Sequence, residues 1–271
     1  MNDNITAQYS TGLSRRNIEH ALAAAGKDLD HLLPADLGLL EDFHTMGRIA
    51  TSQLLDLLEI TSTSEVLDAG SGIGGTARSV ADRFGSRVTA VDLTDEFCDT
   101  NRWLNGLVGL SERISVSEAD VTKLPFADAT FDIAISQHVQ MNVVDKERLY
   151  SEARRVLVNG GRLGLWDITI AANADGLDYP LPWADRSERS HLVTPDQLRA
   201  ALESSGFVIE HWNDLTDQAS TFMQALLNQP ATPLGLQAFV TDFKRKVDNL
   251  TRGLADGRLR AIQGVARAGT I

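Results

Sequence analysis

The segment Val66-Leu67-Asp68-Ala69-Gly70-Ser71-Gly72-Ile73-Gly74-Gly75-Thr76 limits the fold more than any other part of the chain. Apolar residues, an acid and then a run dense in glycine predict a strand that passes into a tight turn. Ala77 through Phe84 predict the helix that the turn opens. Glycine suits such a turn because a side chain would hold the backbone away from a ligand lying across the strand ends. Strand, glycine turn and helix N-terminus together form a nucleotide cradle. The dinucleotide fingerprint spaces its glycines as G-x-G-x-x-G, so that a pyrophosphate rests on the helix N-terminus. Here Gly70, Gly72, Gly74 and Gly75 depart from that register, and Asp68 precedes them. A carboxylate in that place repels a pyrophosphate and favours a ligand with an ammonium group.

Further strands follow in alternation with helices. Val88-Thr89-Ala90-Val91-Asp92-Leu93 is apolar and ends in an acid. An acid roughly 20 positions past the turn accepts hydrogen bonds from both hydroxyls of a ribose, which also suits a nicotinamide enzyme. Ile114 to Val121 alternates and reaches Asp120. Leu124-Pro125-Phe126-Ala127-Asp128-Ala129-Thr130-Phe131-Asp132 leads into Ile133-Ala134-Ile135-Ser136, a strand buried on both faces by its composition. Arg154 to Leu163 predicts the end of a helix, a glycine turn at Gly160-Gly161 and a fifth strand. Alternation from Glu65 to Ile170 implies a parallel sheet with right-handed crossovers. Thr194-Pro195-Asp196-Gln197 carries a capping box with proline at the first helical position, so a helix starts there and ends at Gly206. Upstream, Gly26 and Pro34 break the first 40 residues into short helical pieces, and Gly47 to Glu59 is a helix.

In this order the segments resemble the class I S-adenosylmethionine-dependent methyltransferases over roughly residues 43–212. Val66 to Thr76 matches their motif I, and Leu124 to Asp132 matches their LPF-x-D-x-x-FD approach to the fourth strand. The nearest likeness is the small-molecule branch, with sarcosine/dimethylglycine N-methyltransferases and natural-product and sugar methyltransferases. Asp42-Phe43-His44-Thr45-Met46-Gly47 stands where that branch carries His-x-x-Gly, and Ile73 to Arg78 resembles its GGxAR continuation. Ser136-Gln137-His138 resembles its SQ followed by Asp or His, and Gly257 to Arg267 resembles its last strand. Tyr179-Pro180-Leu181-Pro182-Trp183-Ala184 has no counterpart placed in the glycine-betaine enzymes.

The resemblance implies an α/β fold, a Rossmann-like seven-stranded, mostly parallel sheet with helices on both faces. An N-terminal helical cap (1–46) precedes the core (47–215); lid helices (216–257) then interrupt the path to a final strand (258–271). The cofactor implied is S-adenosylmethionine, with S-adenosylhomocysteine as product. His44 would face its methionine half, and Asp68, Gly70, Gly72, Asp92, Leu93 and Gln137 would line its site. Asp120 and the Val121 amide would meet the adenine. The acceptor is a small molecule presenting nitrogen, oxygen or carbon.

Methyl transfer asks mainly for alignment and desolvation, and an oxygen acceptor also needs a base. In an open α/β sheet the acceptor lies beyond the strand C-termini. His138 is the candidate base, or else a pocket-lining residue bonded to backbone. Asp167 ends a strand at the mouth of the site, where it orients substrate, joins His138 on one divalent ion, or caps a loop. No dense His/Cys/Asp cluster suggests a metal, and none is expected. Gln140, Asn142, His191, Tyr179 and Trp183 complete the candidates near the acceptor. His20, His31 and His211 take no role.

A net charge of −12 without a clustered basic run speaks against nucleic-acid partners. The single Cys98 excludes an internal disulfide framework and fits a cytoplasmic setting. No apolar run nears the ~20 residues of a membrane span, and the polar start Met1-Asn2-Asp3-Asn4 does not resemble a signal peptide. A homodimer is left open. Two other functions remain at this stage. One is a nicotinamide-dependent oxidoreductase, which would lack both the fingerprint register and a Tyr-x-x-x-Lys pair. The other is a non-catalytic cofactor-binding protein.

Overall fold

The computed structural model describes residues 12–41, 44–229, 234–235 and 241–269. Asp42 and Phe43, Pro230 and Pro233, the first residues of the helix expected from Leu236, and the polar N-terminus lie outside them. Seven strands form one sheet: β1 (Glu65–Ala69), β2 (Arg87–Asp92), β3 (Ile114–Glu118), β4 (Phe131–Gln137), β5 (Leu157–Ile170), β6 (Phe207–Asp214) and β7 (Leu259–Ala268). Their order is β3-β2-β1-β4-β5-β7-β6. The first five run parallel, while β7 is antiparallel to both β5 and β6. The order reverses between β1 and β4, so a crevice opens beyond their C-terminal ends, the place where open α/β sheets bind ligands.

The described helices are α1 (Ser14–Ala24), α2 (Pro34–Glu41), α3 (Gly47–Leu55), α4 (Gly75–Phe84), α5 (Asp95–Leu107), α6 (Lys146–Val156), α7 (Pro195–Ser204), α8 (Thr216–Leu227) and α9 (Phe243–Ala255). One sheet face is covered by α3, α4, α8 and α9 through Leu54, Val80, Ala219, Met223, Val247 and Leu250. The other packs on α6 and α7 through Leu149, Tyr150, Val156, Leu198 and Leu202. A third cluster seats α1 and α2 beside the glycine turn, with Ile18, Leu22, Leu37 and Leu40 against Ile73 and Leu104. Helices α8 and α9, expected as a lid, pack on the first of these faces and on the segments beside it. Leu215 N–H donates to the Ala261 carbonyl (2.9 Å), and the Asn249 side chain of α9 donates to the Pro180 carbonyl (2.9 Å).

Local signals fixed some boundaries well. The Thr194 hydroxyl accepts from Gln197 N–H while the Gln197 side chain accepts from Thr194 N–H, the reciprocal cap that the spacing predicts. Pro34 separates two helical pieces and opens α2, since its missing N–H costs nothing in a first turn. Two expectations need correction. Helix α3 ends at Leu55, and Glu59 lies in the left-handed region with φ of 52°. Finally, β5 does not stop at Trp166. Its partner on one side, β4, ends there (Gln137 opposite Trp166), but β7 continues the pairing through Asp167–Ile262 to Ile170–Leu259. The Gly160-Gly161 turn lies within this long strand, where its register with β4 shifts.

Candidate cofactor and acceptor site

The glycine turn closes over the strand ends with positive φ at Gly70 (80°), Gly72 (53°) and Gly74 (92°). At Gly70 and Gly74 it also has no room for a side chain. A Cβ on Gly70 would stand 2.3 Å from Val139 Cγ2, and one on Gly74 would stand 2.1 Å from Asn101 Oδ1. The amides of Gly70 and Ser71 both donate to the Val91 carbonyl at 2.8 Å, which ties the turn to β2.

Three carboxylates follow the ends of adjacent strands. Asp68 is buried in β1 and Asp92 ends β2. Asp120 follows β3, and its Oδ1 accepts from Thr122 N–H (2.8 Å) and Thr122 Oγ1–H (2.7 Å). Asp92 is aimed by backbone: Oδ2 accepts from Gly72 N–H (2.8 Å) and Oδ1 from Thr94 N–H (2.9 Å). A carboxylate has about four acceptor positions, and one aimed in this way suits the two hydroxyls of a diol. Desolvation raises the Asp92 pKa, against the pull of these amides. Leu93 and Val121 flank these acids, both half-buried. Nearby, burial pushes the Cys98 thiol up to about 12, so it stays protonated and inert.

Arg78 anchors the same turn from below. Fully buried, it donates from Nε to Glu41 (2.7 Å), from its terminal nitrogens to Asn101 (3.2 Å) and Asn105 (2.8 Å), and also to the Ile73 carbonyl. Glu41, the last residue of α2, also receives Arg48. One guanidinium thus joins the N-terminal cap, the glycine turn and α5. The GGxAR likeness contained this arginine, but its acidic partner lies 37 residues away and carries no local signal.

Beyond the end of β4, a polar chain runs from Gln137 to Thr51 and His44. Gln137 Nε2 donates to Thr76 Oγ1 (2.7 Å) and to Thr51 Oγ1 (3.4 Å), and Thr51 meets His44 Nε2 at 3.1 Å. The rings of His44 and His138 stand edge to face, 5.8 Å apart. His138 has a left-handed backbone (φ 56°), donates its N–H to the Trp166 carbonyl (2.8 Å), and accepts from Thr45 N–H at Nε2 over 3.4 Å. Desolvation, with His44 adding to it, drives the His138 pKa well below its usual value, so the ring is neutral at physiological pH. Buried Gln137 Oε1 and Thr45 Oγ1 have no hydrogen-bond partner within the protein, and both are open to a ligand's donors.

Asp167 does not join this group. Side chains alternate across a strand. Trp166 and Ile168 face the α3 side, whereas Leu163 and Leu165 face α6 and α7, and Asp167 shares the parity of the latter pair. It is fully buried, Lys146 and Tyr150 are its electrostatic neighbours, and burial holds its pKa well above the usual carboxylate range. The expected place at the mouth of the site, and the pairing with His138 on one ion, are therefore corrected. Among the described residues, no group of three or more His, Cys, Asp or Glu side chains is placed to hold a metal. Trp183 is buried and donates from Nε1 to Ser190 Oγ (2.9 Å), while Tyr179 packs partly on the same core. His191 donates its N–H to the Met141 carbonyl (2.8 Å), next to the loop that follows β4.

Residues 67–165 match the family described as Methyltransferase domain. A sarcosine/dimethylglycine N-methyltransferase of Halorhodospira halochloris is 33% identical over 156 residues, covering 57% of this chain and 55% of that protein. The methyltransferase GfsG of Streptomyces halstedii is 27% identical over 195 residues, covering 71% and 67%. The chain thus spans little more than half the length of the first of these relatives. In fold, the geranyl diphosphate C-methyltransferase of Streptomyces coelicolor A3(2) superposes with a TM-score of 0.72 at 18% identity, covering 98% of this chain and 97% of that one. Residues 67–165 thus match the methyltransferase domain family, and the chain shares the fold of the Streptomyces coelicolor enzyme over nearly its whole length.

Proposed function

We propose that this chain is an S-adenosylmethionine-dependent methyltransferase acting on a small molecule through a nitrogen, oxygen or carbon acceptor. One observation carries this reading: a glycine turn with no room for a Cβ at Gly70 or Gly74 lies beside Asp68, Asp92 and Asp120, carboxylates at the ends of adjacent strands. That charge pattern fits a cofactor with an amine, a sulfonium, a ribose diol and an adenine amino group, and opposes a pyrophosphate. Asp92 takes the diol, Asp120 and the Val121 amide take the adenine, and Asp68 and His44 hold the methionine half. Gly70, Gly72, Leu93 and Gln137 complete the walls. Bound there, S-adenosylmethionine supplies an electrophilic methyl group on a good leaving group.

The protein then has to align the acceptor and exclude water. His138, neutral and on the acceptor side, takes the proton of a hydroxyl acceptor once that hydroxyl displaces the long contact with the Thr45 amide. An amine that arrives neutral, or a carbon acceptor, uses the same residue for orientation. Charge argues against nucleic acids as acceptors. No helix among the described residues is long and apolar enough to cross a membrane, and the single cysteine supports a cytoplasmic location. A homodimer is compatible with this site.

The test is release of S-adenosylhomocysteine from S-adenosylmethionine across amines, sugar and hydroxy acids, and phenols or quinones. Turnover with one class fixes the acceptor atom. Cofactor binding without turnover in any class would favour a non-catalytic cofactor-binding protein.

A further inference from the structure

Helix α6 opens with Lys-Glu-Arg-Leu, which in sequence reads as an ordinary solvated first turn. Lys146 is instead buried. Its ammonium donates to three backbone carbonyls: Gln140 (2.6 Å), Val143 and His191 (2.7 Å). An ammonium has three donors, so all are used. Two of these carbonyls belong to the loop after β4, which starts at His138, and the third belongs to the segment before α7. That segment is tied to the same loop by His191 N–H on the Met141 carbonyl, and it carries Ser190, the partner of Trp183. Lys146 therefore knots together two otherwise irregular segments that flank the acceptor side. Irregular backbone has few ladder bonds of its own, so a buried cation that gathers three carbonyls fixes its path.

Asp167 explains how this cation tolerates burial. It lies on β5, where the Val139 and Gln140 amides and the Lys146 ammonium favour its ionised form against the cost of burial. Gln140 Nε2 closes the arrangement on the Ile168 carbonyl (2.7 Å). We propose that Lys146 is a positioning residue for methyl transfer, setting the loop 138–143 and the segment 190–193 so that His138 stands at the acceptor side of the cofactor. This rests on the site reading given above.

The charged and titratable groups facing the ammonium are Asp167 from β5 and His191 from the segment before α7, with Tyr150 of α6 facing Asp167 in turn. Desolvation lowers the Lys146 pKa to about 8, with Asp167 opposing the shift. Above that pH one of the three carbonyls meets a lone pair in place of a donor.

Lys146→Met and Lys146→Arg, in the full chain, test the proposal. In Lys146→Met, hydrogen exchange over 138–143 and 187–193 should accelerate on the order of tenfold or more, while S-adenosylhomocysteine affinity stays within about twofold. With the acceptor identified as above, kcat should fall about tenfold or more at unchanged KM for S-adenosylmethionine. The native protein should lose kcat above about pH 8, and Lys146→Arg should restore part of the rate and remove that loss. Native-like exchange in Lys146→Met overturns the proposal, as does a released loop with native kcat. If the native protein does not bind S-adenosylhomocysteine, the site reading fails, and the exchange comparison still decides whether Lys146 holds the loop.

Discussion

Two arginines on α4 make a sharp test of what holds the cofactor turn. Arg78 and Glu41 form an ion pair with both side chains at 0% exposure, whereas Arg83 pairs with Asp56 at 45% and 58% exposure. Removing one partner of a buried pair leaves an uncompensated charge, at about 3–5 kcal/mol. Arg78→Met would also strip donors from Asn105, Asn101 and the Ile73 carbonyl, and the remaining contact of Glu41 with Arg48 offsets only part of that loss. An exposed pair such as Arg83–Asp56 contributes about 0–1 kcal/mol. In a chain of this length about 1 kcal/mol shifts the melting temperature by roughly 2–4 °C, so Arg78→Met should lower Tm by about 6–20 °C. Arg83→Met should move it by no more than about 4 °C. Thermal and urea unfolding read both variants, and Glu41→Gln, which keeps the side-chain shape, guards against a purely steric effect. S-adenosylhomocysteine should stabilise the native protein more than Glu41→Gln, because the cap and the turn share this pair. Equal Tm losses at positions 78 and 83 would refute the reasoning.

Two further outcomes follow from the site. Asp92→Ala should weaken S-adenosylhomocysteine binding by about 1–3 kcal/mol, the scale for leaving buried hydroxyls unpaired, and calorimetry with unchanged affinity would contradict the assignment. His138→Ala should spare cofactor affinity and, for a hydroxyl acceptor, lower kcat by about 10²–10⁴. Because desolvation lowers the His138 pKa, the base is already neutral at pH 6.5, and the acid limb of the rate should lie below that value. The stability sign agrees: the unfolded chain takes up the proton first, so His138 costs stability as pH falls from 6.5 toward its folded pKa. An acid limb at or above 6.5 that vanishes in His138→Ala would contradict the desolvated geometry.

What the sequence made legible was local. The glycine turn, the acids that close β2 and follow β3, and the Thr194 capping box are short patterns whose chemistry is complete within a few residues. The parts that escaped depend on distant partners. Lys146 resembles any first-turn lysine until the carbonyl of His191, 45 residues on, is brought to it. Asp167 follows the apolar run Leu163 to Trp166 and in sequence resembles a strand end; the antiparallel β7 carries β5 further, and the carboxylate faces α6. Face alternation decides its role, and a strand boundary misread by a few residues moves a side chain from the mouth of a site to its foundation.

If the three strand-end carboxylates select a cationic nucleoside cofactor, calorimetric titration of the native protein with S-adenosylmethionine and with NAD⁺ under identical conditions will separate the two ligands. S-adenosylmethionine should bind one to one, with no measurable heat from NAD⁺. Binding of NAD⁺ with none of S-adenosylmethionine would overturn that selection.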